Sequence, residues 1–261
     1  MSKKIFCEIL ENTEIAKNIY RIKIKKPVKD FNIKAGQFIN IKCGEGDFPL
    51  LRRPISIGLV EGETMTIYVN KVGKGTELLC SRKAGEFIDI LGPLGNTFNM
   101  DIEKGKVLIV GGGIGVAPLL ELTKTLSEKD NIDIKLILGF REEPFIIEEF
   151  KKYTKDIIVV SEKEGYDYKG YVTQPLENEL KKNKYDEVFT CGPEPMLKKV
   201  NEICKANGTT VQLLLEERMA CGIGACLVCT CKVKRSNEDW NYVRTCKDGP
   251  VFYGEEVIFD E

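Results

Sequence analysis

Val107-Leu108-Ile109-Val110-Gly111-Gly112-Gly113-Ile114-Gly115-Val116-Ala117-Pro118 decides the fold of the middle of this chain. An unbroken apolar run of this kind marks a parallel strand covered on both faces. The glycines after it let the backbone turn tightly and approach a phosphate, and a helical stretch then runs to about Ser127. Strand, glycine turn and helix in that order form a phosphate cradle of the kind used for dinucleotides. Downstream, strands are expected at Ile134–Leu138, Ile157–Val160, Glu187–Thr190 and Val211–Leu215. Helical patterns lie between them, around Glu148–Tyr153, Gln174–Lys182 and Glu194–Ala206. That alternation predicts a doubly wound α/β domain. Two features depart from the usual dinucleotide fingerprint. Pro118 stands where a third glycine would be, and Gly139-Phe140-Arg141, with no acid, closes the second strand.

Upstream, from Ile5 to about Phe98, short strands alternate with turn residues. Tyr20–Lys25, Gly36–Lys42, Thr64–Val69 and Phe87–Leu91 each show the period of two that a half-buried strand requires. Strands at this spacing, punctuated by Gly and Pro, predict a small antiparallel barrel. Two stretches in it carry chemistry. Arg53-Pro54-Ile55-Ser56 enters a strand with a guanidinium whose planar fork matches phosphate oxygens, and with a hydroxyl able to reach a polar ring edge. Asn70-Lys71-Val72-Gly73-Lys74-Gly75-Thr76 is a glycine-rich turn, and Thr76 is expected to begin a helix over Glu77–Cys80 whose first N–H groups face an anion. Taken singly, each also reads as an ordinary strand start or loop.

Near the carboxyl end, Cys221, Cys226 and Cys229 stand at C-x4-C-x2-C, with Cys246 farther along. This is the plant-type [2Fe–2S] spacing. Three thiolates converging from one loop force it to curl, which Gly222 and Gly224 permit, and small residues let backbone N–H groups reach the cluster sulfurs. A structural zinc site is the competing use of four cysteines, although it usually draws them as two pairs with short internal spacing. Disulfides are the plainer reading of ten cysteines, but this chain is too large to be a small disulfide scaffold. Cys231 is a surplus thiol. As a ligand in place of Cys229 it would break the spacing, so it is expected to be buried beside the cluster.

Composition narrows the rest. A chain of 261 residues, 43% hydrophobic and 30% charged, suits one large or two medium domains. A net charge of −1 gives no bulk electrostatic case for nucleic acid or for an anionic membrane. There is no histidine, which removes His-based acid–base work, Ser-His-Asp triads, Rieske clusters and His-ligated haem together. The opening Met1–Glu8 has no apolar run behind its lysines, and Glu8 and Glu11 interrupt it, so no secretory leader is expected. No stretch approaches the length of a membrane helix, and the expected location is the cytoplasm, where thiols stay reduced.

The order of motifs carries a resemblance. The barrel with R-P-x-S and G-x-G-T resembles the FAD-binding domain of the ferredoxin–NADP reductase superfamily. There, the first motif holds the isoalloxazine and ribityl phosphate end, the second holds the pyrophosphate, and the strand before it lines the flavin. Carried over, these are Arg53, Pro54, Ile55 and Ser56, then Tyr68, Val69 and Asn70, then Gly75 and Thr76. The same superfamily carries G-x-G-x-x-P, here Gly112, Gly113, Gly115 and Pro118, for the pyridine nucleotide. It also carries a late C-G-P turn beside the nicotinamide, here Cys191, Gly192, Pro193 and Met196. Ser56 and Cys191 are the residues that the resemblance places at the reacting rings. Glu142 and Glu143 beside Arg141 would repel a 2′-phosphate, which inclines the reading towards NAD(H).

The tail Glu216-Glu217-Arg218-Met219-Ala220 followed by C-G-I-G-A-C-L-V-C-T-C, and then Cys246-Lys247-Asp248-Gly249-Pro250-Val251-Phe252, is similar to one family within that superfamily. This is the family of electron-transfer subunits of NAD-dependent (type B) dihydroorotate dehydrogenases. The resemblance implies an FAD-binding barrel over residues 1–101, an NAD-binding α/β domain over 102–212 and a [2Fe–2S] lobe over 213–261, with Cys221, Cys226, Cys229 and Cys246 as ligands. It further implies an FMN-containing catalytic partner, two copies of each subunit in the complex, and a relay from that FMN through cluster and FAD to NAD+ in pyrimidine biosynthesis. Its rivals are a subunit of a ferredoxin–NADP oxidoreductase or sulfide dehydrogenase, in which one cluster ligand is typically aspartate, and an oxygenase reductase, which carries a complete ferredoxin domain. A non-enzymatic zinc-bearing interaction module is the rival of another class, and it would be colourless.

Overall fold

A computed structural model describes residues 3–27, 31–44, 46, 48–234 and 239–259 of the chain. Met1 and Ser2, which open the stretch read for a leader, lie outside the described residues.

The amino-terminal strands are β1 (Lys3–Ala16), β2 (Ile19–Lys25), β3 (Phe38–Lys42), β4 (Arg53–Glu61), β5 (Thr64–Asn70) and β6 (Phe87–Leu94). They close into an antiparallel barrel in the order β1-β2-β5-β4-β3-β6, with the short helix α1 (Lys74–Cys80) between β5 and β6. Period-two alternation fills its interior. Ile9, Ile22, Ile24, Ile39, Ile41, Met65, Ile67 and Ile90 are fully buried, each contributing roughly 1.5–3 kcal/mol relative to exposure. β1 pairs with β6 along Lys3–Glu8 and with β2 along Ile9–Ala16. Register shifts at Ile9/Glu11 and Glu14/Ala16 bend it, so one strand serves both neighbours and shuts the barrel.

The second unit contains β7 (Gly105–Gly112), α2 (Ala117–Ser127), β8 (Ile132–Phe140), α3 (Ile147–Phe150), β9 (Ile157–Ser161), β10 (Tyr168–Lys169), α4 (Thr173–Lys182), β11 (Glu187–Cys191), α5 (Glu194–Ala206) and β12 (Val211–Leu214). Its strands run parallel in the order β10-β9-β8-β7-β11-β12. The chain winds outward from β7 through β8 and then returns to lay β11 on β7's other side. The crevice at the carboxyl ends of β7 and β11 is therefore the topological switch point, where open α/β sheets bind ligands. The expected helix around Glu148–Tyr153 is only the single turn α3, because the following backbone closes as tighter turns through Tyr153 and Thr154.

The tail forms β13 (Thr230–Lys234), β14 (Trp240–Arg244), β15 (Val251–Tyr253) and β16 (Val257–Ile258). β14, β13 and β16 make a three-stranded sheet, whereas β15 leaves it and pairs antiparallel with β12 as the seventh strand of the central sheet. β12 itself spans the division expected at 212/213. The three units share cores. Leu59, Tyr68 and Phe98 from the barrel side pack with Val116, Leu119 and Leu120 of the nucleotide side. Val233, Val243, Phe252 and Val257 of the tail pack with Leu197, Val200 and Leu213. Polar stays cross the same boundaries. Glu121 accepts the Val60 N–H at 2.7 Å, Gln212 both donates to and accepts from the Asn99 backbone at 2.8 Å, and Asn96 brackets Val251 with its amide at 2.8 and 2.9 Å. Among the described residues no helix is long and apolar enough to cross a membrane.

Candidate functional site

The R-P-x-S and Y-V-N stretches meet at a seam in the barrel. The β4–β5 ladder runs from Glu61↔Thr64 to Ile57↔Ile67 and stops there. Beyond it, Arg53–Ser56 pair only with β3, and Tyr68–Asn70 pair only with β2. The two strands thus part over the residues expected to line a flavin. Pro54, which has no N–H to donate, fits an edge that faces no partner strand. Below the seam lies the start of α1, where the Arg53 guanidinium rests on Gly75: a Cβ there would meet Arg53 Nε at 2.6 Å. A cation and the first turn of a helix are brought together, as a bound phosphate requires.

Three details differ from the sequence reading. Thr76 is not the first residue of α1 but its third, and helix α1 begins at Lys74 with Gly73 as cap. The Thr76 hydroxyl folds back, accepting the Val72 and Gly73 N–H groups at 3.0 and 3.2 Å, because the glycines leave room for that closure. Tyr68 puts its ring into the core between barrel and α2, 3% exposed and against Gly58, so of this residue it is the strand backbone that faces the seam. Burial, followed by the nearby Glu149 charge, pushes its hydroxyl pKa up. The arginine doublet also divides its labour. Arg52 Nη2 donates to both Asp89 carboxylate oxygens at 2.8 Å and Nη1 donates to the Asn40 and Asp89 carbonyls, which staples β3 to β6, while Arg53 stays at the seam.

At the switch point the glycine turn and the C-G-P turn abut. A Cβ on Gly115 would lie 2.7 Å from Gly192 Cα and N, and one on Gly112 would strike the Met196 sulfur. Gly113, with φ +57, has nothing within 4 Å of the missing Cβ, leaving an open concave backbone. Pro118 falls in the first turn of α2, where its fixed φ suits the helix and its absent N–H leaves nothing unpaired. Cys191 ends β11 between Gly111 and Leu214, 6% exposed. Burial first, and then the Glu216 carboxylate, raise its thiol pKa and keep it protonated. Arg141 is exposed and paired with Glu162 at 3.6 Å, and Lys163 pairs with Glu142 at 3.0 Å.

The cysteine loop lies on the outer face of the barrel. Cys229 and Cys246, both 2% exposed, pack with Phe38 of β3 and Leu94 of β6. Phe38 is the cross-strand partner of Ser56, so loop and seam share one strand pair. Asn40, two residues on, is fully buried and donates to the Cys221 carbonyl at 3.5 Å; among the described residues its Oδ1 has no hydrogen-bond partner. Gly222 and Gly224 take φ +71 and +81, the left-handed turns that the curl needs. Backbone N–H groups point at sulfur: Ile223 and Ala225 to Cys221 at 3.5 and 3.3 Å, Gly224 to Cys246 at 3.1 Å, and Cys246 to Cys229 at 3.5 Å.

The four thiols fall into two contacting pairs, Cys221 with Cys226 and Cys229 with Cys246. Among the described residues no three His, Cys, Asp or Glu side chains gather at one metal's spacing. The backbone N–H groups aimed at Cys221, Cys229 and Cys246 fit thiolates of an iron–sulfur cluster, whose sulfurs take such hydrogen bonds. Although burial works against it, the N–H groups around Cys221 and the Cys226 thiol hold its pKa down at about 6. Burial and the adjacent Cys229 push Cys246 up to about 12. Cys231, expected as a buried thiol beside the cluster, is half-buried in β13. It accepts the Thr245 hydroxyl at 3.5 Å and helps line a cavity of about 190 Å³ together with Gly192, Pro193 and Tyr242. Asn40 and Arg52 were not singled out from sequence: a lone polar residue in a strand, and one member of an arginine doublet, carry no local signal of role.

Comparison with known proteins bears on the nucleotide domain, the cysteine lobe and the chain as a whole. The family described as "Iron-sulfur cluster binding domain of dihydroorotate dehydrogenase B" matches residues 216–258, and "Oxidoreductase NAD-binding domain" matches residues 109–202. The electron transfer subunit of dihydroorotate dehydrogenase B (NAD(+)) from Clostridium perfringens is 41% identical over 254 residues, covering 97% of each chain. The corresponding subunit from Caldanaerobacter subterraneus subsp. tengcongensis is 41% identical over 99% of this chain and 100% of its own. Among solved structures, the NADH-dependent reduced ferredoxin-NADP oxidoreductase superposes with a TM-score of 0.86 at 30% identity, covering 97% of this chain and 89% of that one. Phthalate dioxygenase reductase superposes with a TM-score of 0.67 at 15% identity over 94% of this chain and 77% of that one, a likeness of fold.

Proposed function

The chain belongs to the family of dihydroorotate dehydrogenase B electron transfer subunits, and on that footing we propose that it carries electrons from a dihydroorotate-oxidising catalytic subunit to NAD+ by way of a [2Fe–2S] cluster and FAD, within pyrimidine biosynthesis. The partner in this reading holds FMN, and the complex contains two copies of each subunit. The three units are the barrel over 1–101, the α/β domain from 102 to the end of β12, and the cluster lobe after it. Bound flavin and cluster together supply the conversion between two-electron and one-electron chemistry.

The chain's own residues prepare the sites. Arg53, with Gly75 and Thr76 below it, takes the flavin phosphates. Pro54, Ile55 and Ser56 on one side of the seam, and Tyr68, Val69 and Asn70 on the other, enclose the ring. Gly112, Gly113, Gly115 and Pro118 take the nucleotide at the switch point, and Gly192, Pro193 and Met196 bound its nicotinamide end. Cys191 remains a neutral thiol there, since burial raises its pKa, and so offers a weak S–H donor without a charge. Ser56 offers a hydroxyl from the opposite wall. Cys221, Cys226, Cys229 and Cys246 hold the irons. Arg141 and Lys163 are each accompanied by a glutamate, Glu162 and Glu142, whose charges oppose a 2′-phosphate, which favours NAD(H).

The observation that carries this reading is the shared strand pair. Phe38 shares one buried hydrophobic cluster with Cys229 and Cys246 while its cross-strand partner Ser56 lines the seam, which makes iron–sulfur cluster and flavin neighbours through one ladder in this reading. The loop's outer side supports a partner: Cys226 is exposed, and Ile223, Leu227 and Val228 around it are 48%, 63% and 53% exposed. Apolar residues in such a row are the kind that a partner protein covers. The identity of 41% to the dihydroorotate dehydrogenase subunits, against 30% to the ferredoxin-NADP oxidoreductase, supports this reading over that rival.

The test is co-purification and turnover. Produced with its partner, the chain is expected in a complex containing FMN, FAD and iron that reduces NAD+ with dihydroorotate. Produced alone, it is expected to be yellow-brown and to pass electrons from NADH to artificial acceptors without oxidising dihydroorotate. Dihydroorotate oxidation by the chain alone refutes the two-subunit reading.

A further inference from the structure

The cysteine loop and the turn that supplies the fourth cysteine are joined by a side chain that sequence reading passes over. Arg244, the last residue of β14, lays its guanidinium against Asp248 (Nε to Oδ2 at 2.9 Å, Nη2 to Oδ1 at 3.0 Å). The same carboxylate accepts the Arg244 backbone N–H at 2.8 Å, and the Asp248 N–H returns to the Arg244 carbonyl at 2.7 Å. The turn that carries Cys246 is thereby closed on itself and the fork is fixed. Its remaining arm, Nη1, reaches across to the Gly224 carbonyl at 3.2 Å.

That carbonyl belongs to the peptide unit whose N–H is on Ala225, and the Ala225 N–H donates to Cys221 Sγ at 3.3 Å. A cation at the oxygen end of a peptide draws electron density from its nitrogen end and makes the N–H a stronger donor. Hydrogen bonds to cluster sulfurs are among the levers that set the reduction potential, because they stabilise the more negative, reduced state. Gly224 makes the approach possible. Its φ of +81 turns the carbonyl towards Arg244, and the Lys247 side chain occupies the place of the missing Cβ.

We propose that Arg244 is a positioning residue that raises the cluster's reduction potential by polarising the Gly224–Ala225 peptide onto Cys221. The proposal rests on the four-cysteine cluster reading above. It adds that a residue which touches neither iron nor sulfur sets the electron affinity of the centre, and that it does so through its fork geometry as well as its charge. Lysine keeps the charge but is a single compact ammonium held by Asp248, with no second arm for Gly224.

The experiment is a potentiometric titration of the iron-loaded, FAD-loaded protein, wild type against Arg244→Lys, followed by the visible absorption of the cluster and the electron paramagnetic resonance of its reduced form. The expected result is a midpoint shifted negative by about tenfold in electron affinity, about 59 mV for one electron. Iron content and flavin midpoint stay unchanged, and the hyperfine coupling to exchangeable protons in the reduced cluster is weakened. A wild-type midpoint in Arg244→Lys overturns the proposal, because charge alone is then sufficient. Should Arg244→Lys lose iron, Arg244→Gln ends where Nε of Arg244 stands, two bonds short of the Nη1 that meets the Gly224 carbonyl, and so removes both the arm and the charge; a negative shift at least as large is expected. An unchanged midpoint in that variant, or loss of iron in both, overturns the proposal and leaves Arg244 a structural clasp. Absence of iron from the wild type is a separate result, and it sinks the cluster reading itself.

Discussion

Gly115→Ala tests the proposed nucleotide site where backbone meets backbone. The added methyl would stand 2.7 Å from both Gly192 Cα and N and 2.8 Å from the Cys191 carbonyl carbon. All three atoms are backbone, so no side chain can swing away. To reach ordinary contact at 3.4 Å, the glycine turn and the C-G-P turn must part by about 0.7 Å, a displacement in the range that costs about 1–3 kcal/mol in packed interiors. A misplacement approaching 1 Å at a reacting site costs on the order of 100-fold in rate. The expected outcome is a fall of about 10- to 100-fold in the rate at which NADH bleaches the flavin in anaerobic stopped-flow. FAD and iron content should remain at wild-type levels, and the melting temperature should drop by a few degrees per kcal/mol. Gly85→Ala is the control: it sits in the barrel with φ +87 and open space around it, so it strains the backbone without touching the nucleotide. Gly115→Ala protein that reduces its flavin with NADH as fast as wild type refutes the abutment of the two turns as the basis of the site.

Arg53→Ala removes the cation at the seam and should release FAD on gel filtration while the chain stays folded by circular dichroism; retained flavin argues against the phosphate role. Cys226→Ala, at the exposed member of the proposed ligand set, should lose cluster iron with the barrel and its flavin intact, as read by iron assay and visible spectrum. Asp89→Ala leaves the three-quarters-buried Arg52 charge without its carboxylate and should cost about 3 kcal/mol or more in urea unfolding, since breaking one half of a buried pair strands the other. Glu11, held by Arg21 and Lys23, has its pKa lowered from 4.5 to about 2. Its folded-state pKa is depressed, so its contribution is present above pH 4.5 and is lost as pH falls towards 2. Glu11→Gln should therefore flatten the acid limb of the stability profile in that window and leave its slope above pH 5 unchanged.

Much of this architecture is legible in the chain because it is written in local patterns. β2 alternates over Ile22–Lys25, since one face meets the barrel core. β7 is uniformly apolar, since both its faces are covered. The R-P-x-S, G-x-G-T, G-x-G-x-x-P, C-G-P and C-x4-C-x2-C motifs are each contiguous and so can be read one at a time. What the sequence hides is whatever depends on which segments meet. β1 carries Glu8, Glu11 and Glu14 and changes partners midway, so its alternation breaks at the bulges. The seam between β4 and β5 is an end of pairing, and pairing is not written in either strand alone. The division of four cysteines into two pairs joins residues 17 positions apart across the tail. Arg52 and Arg53 are indistinguishable until Asp89 claims one of them. Asn40 and Arg244 act on the cysteine loop from elements far along the chain.

The departure of β15 from its own lobe to flank β12 has a bearing on how the protein is made. Metal-dependent lobes lose order without their metal, and here the lobe also supplies the outermost strand of its neighbour's sheet. Under iron limitation the newly synthesised chain would present β12 with unmet peptide groups along one rim, a template for self-association and a handle for proteolysis. Cellular iron supply would then govern how much of the subunit survives, and not only how much of it is active.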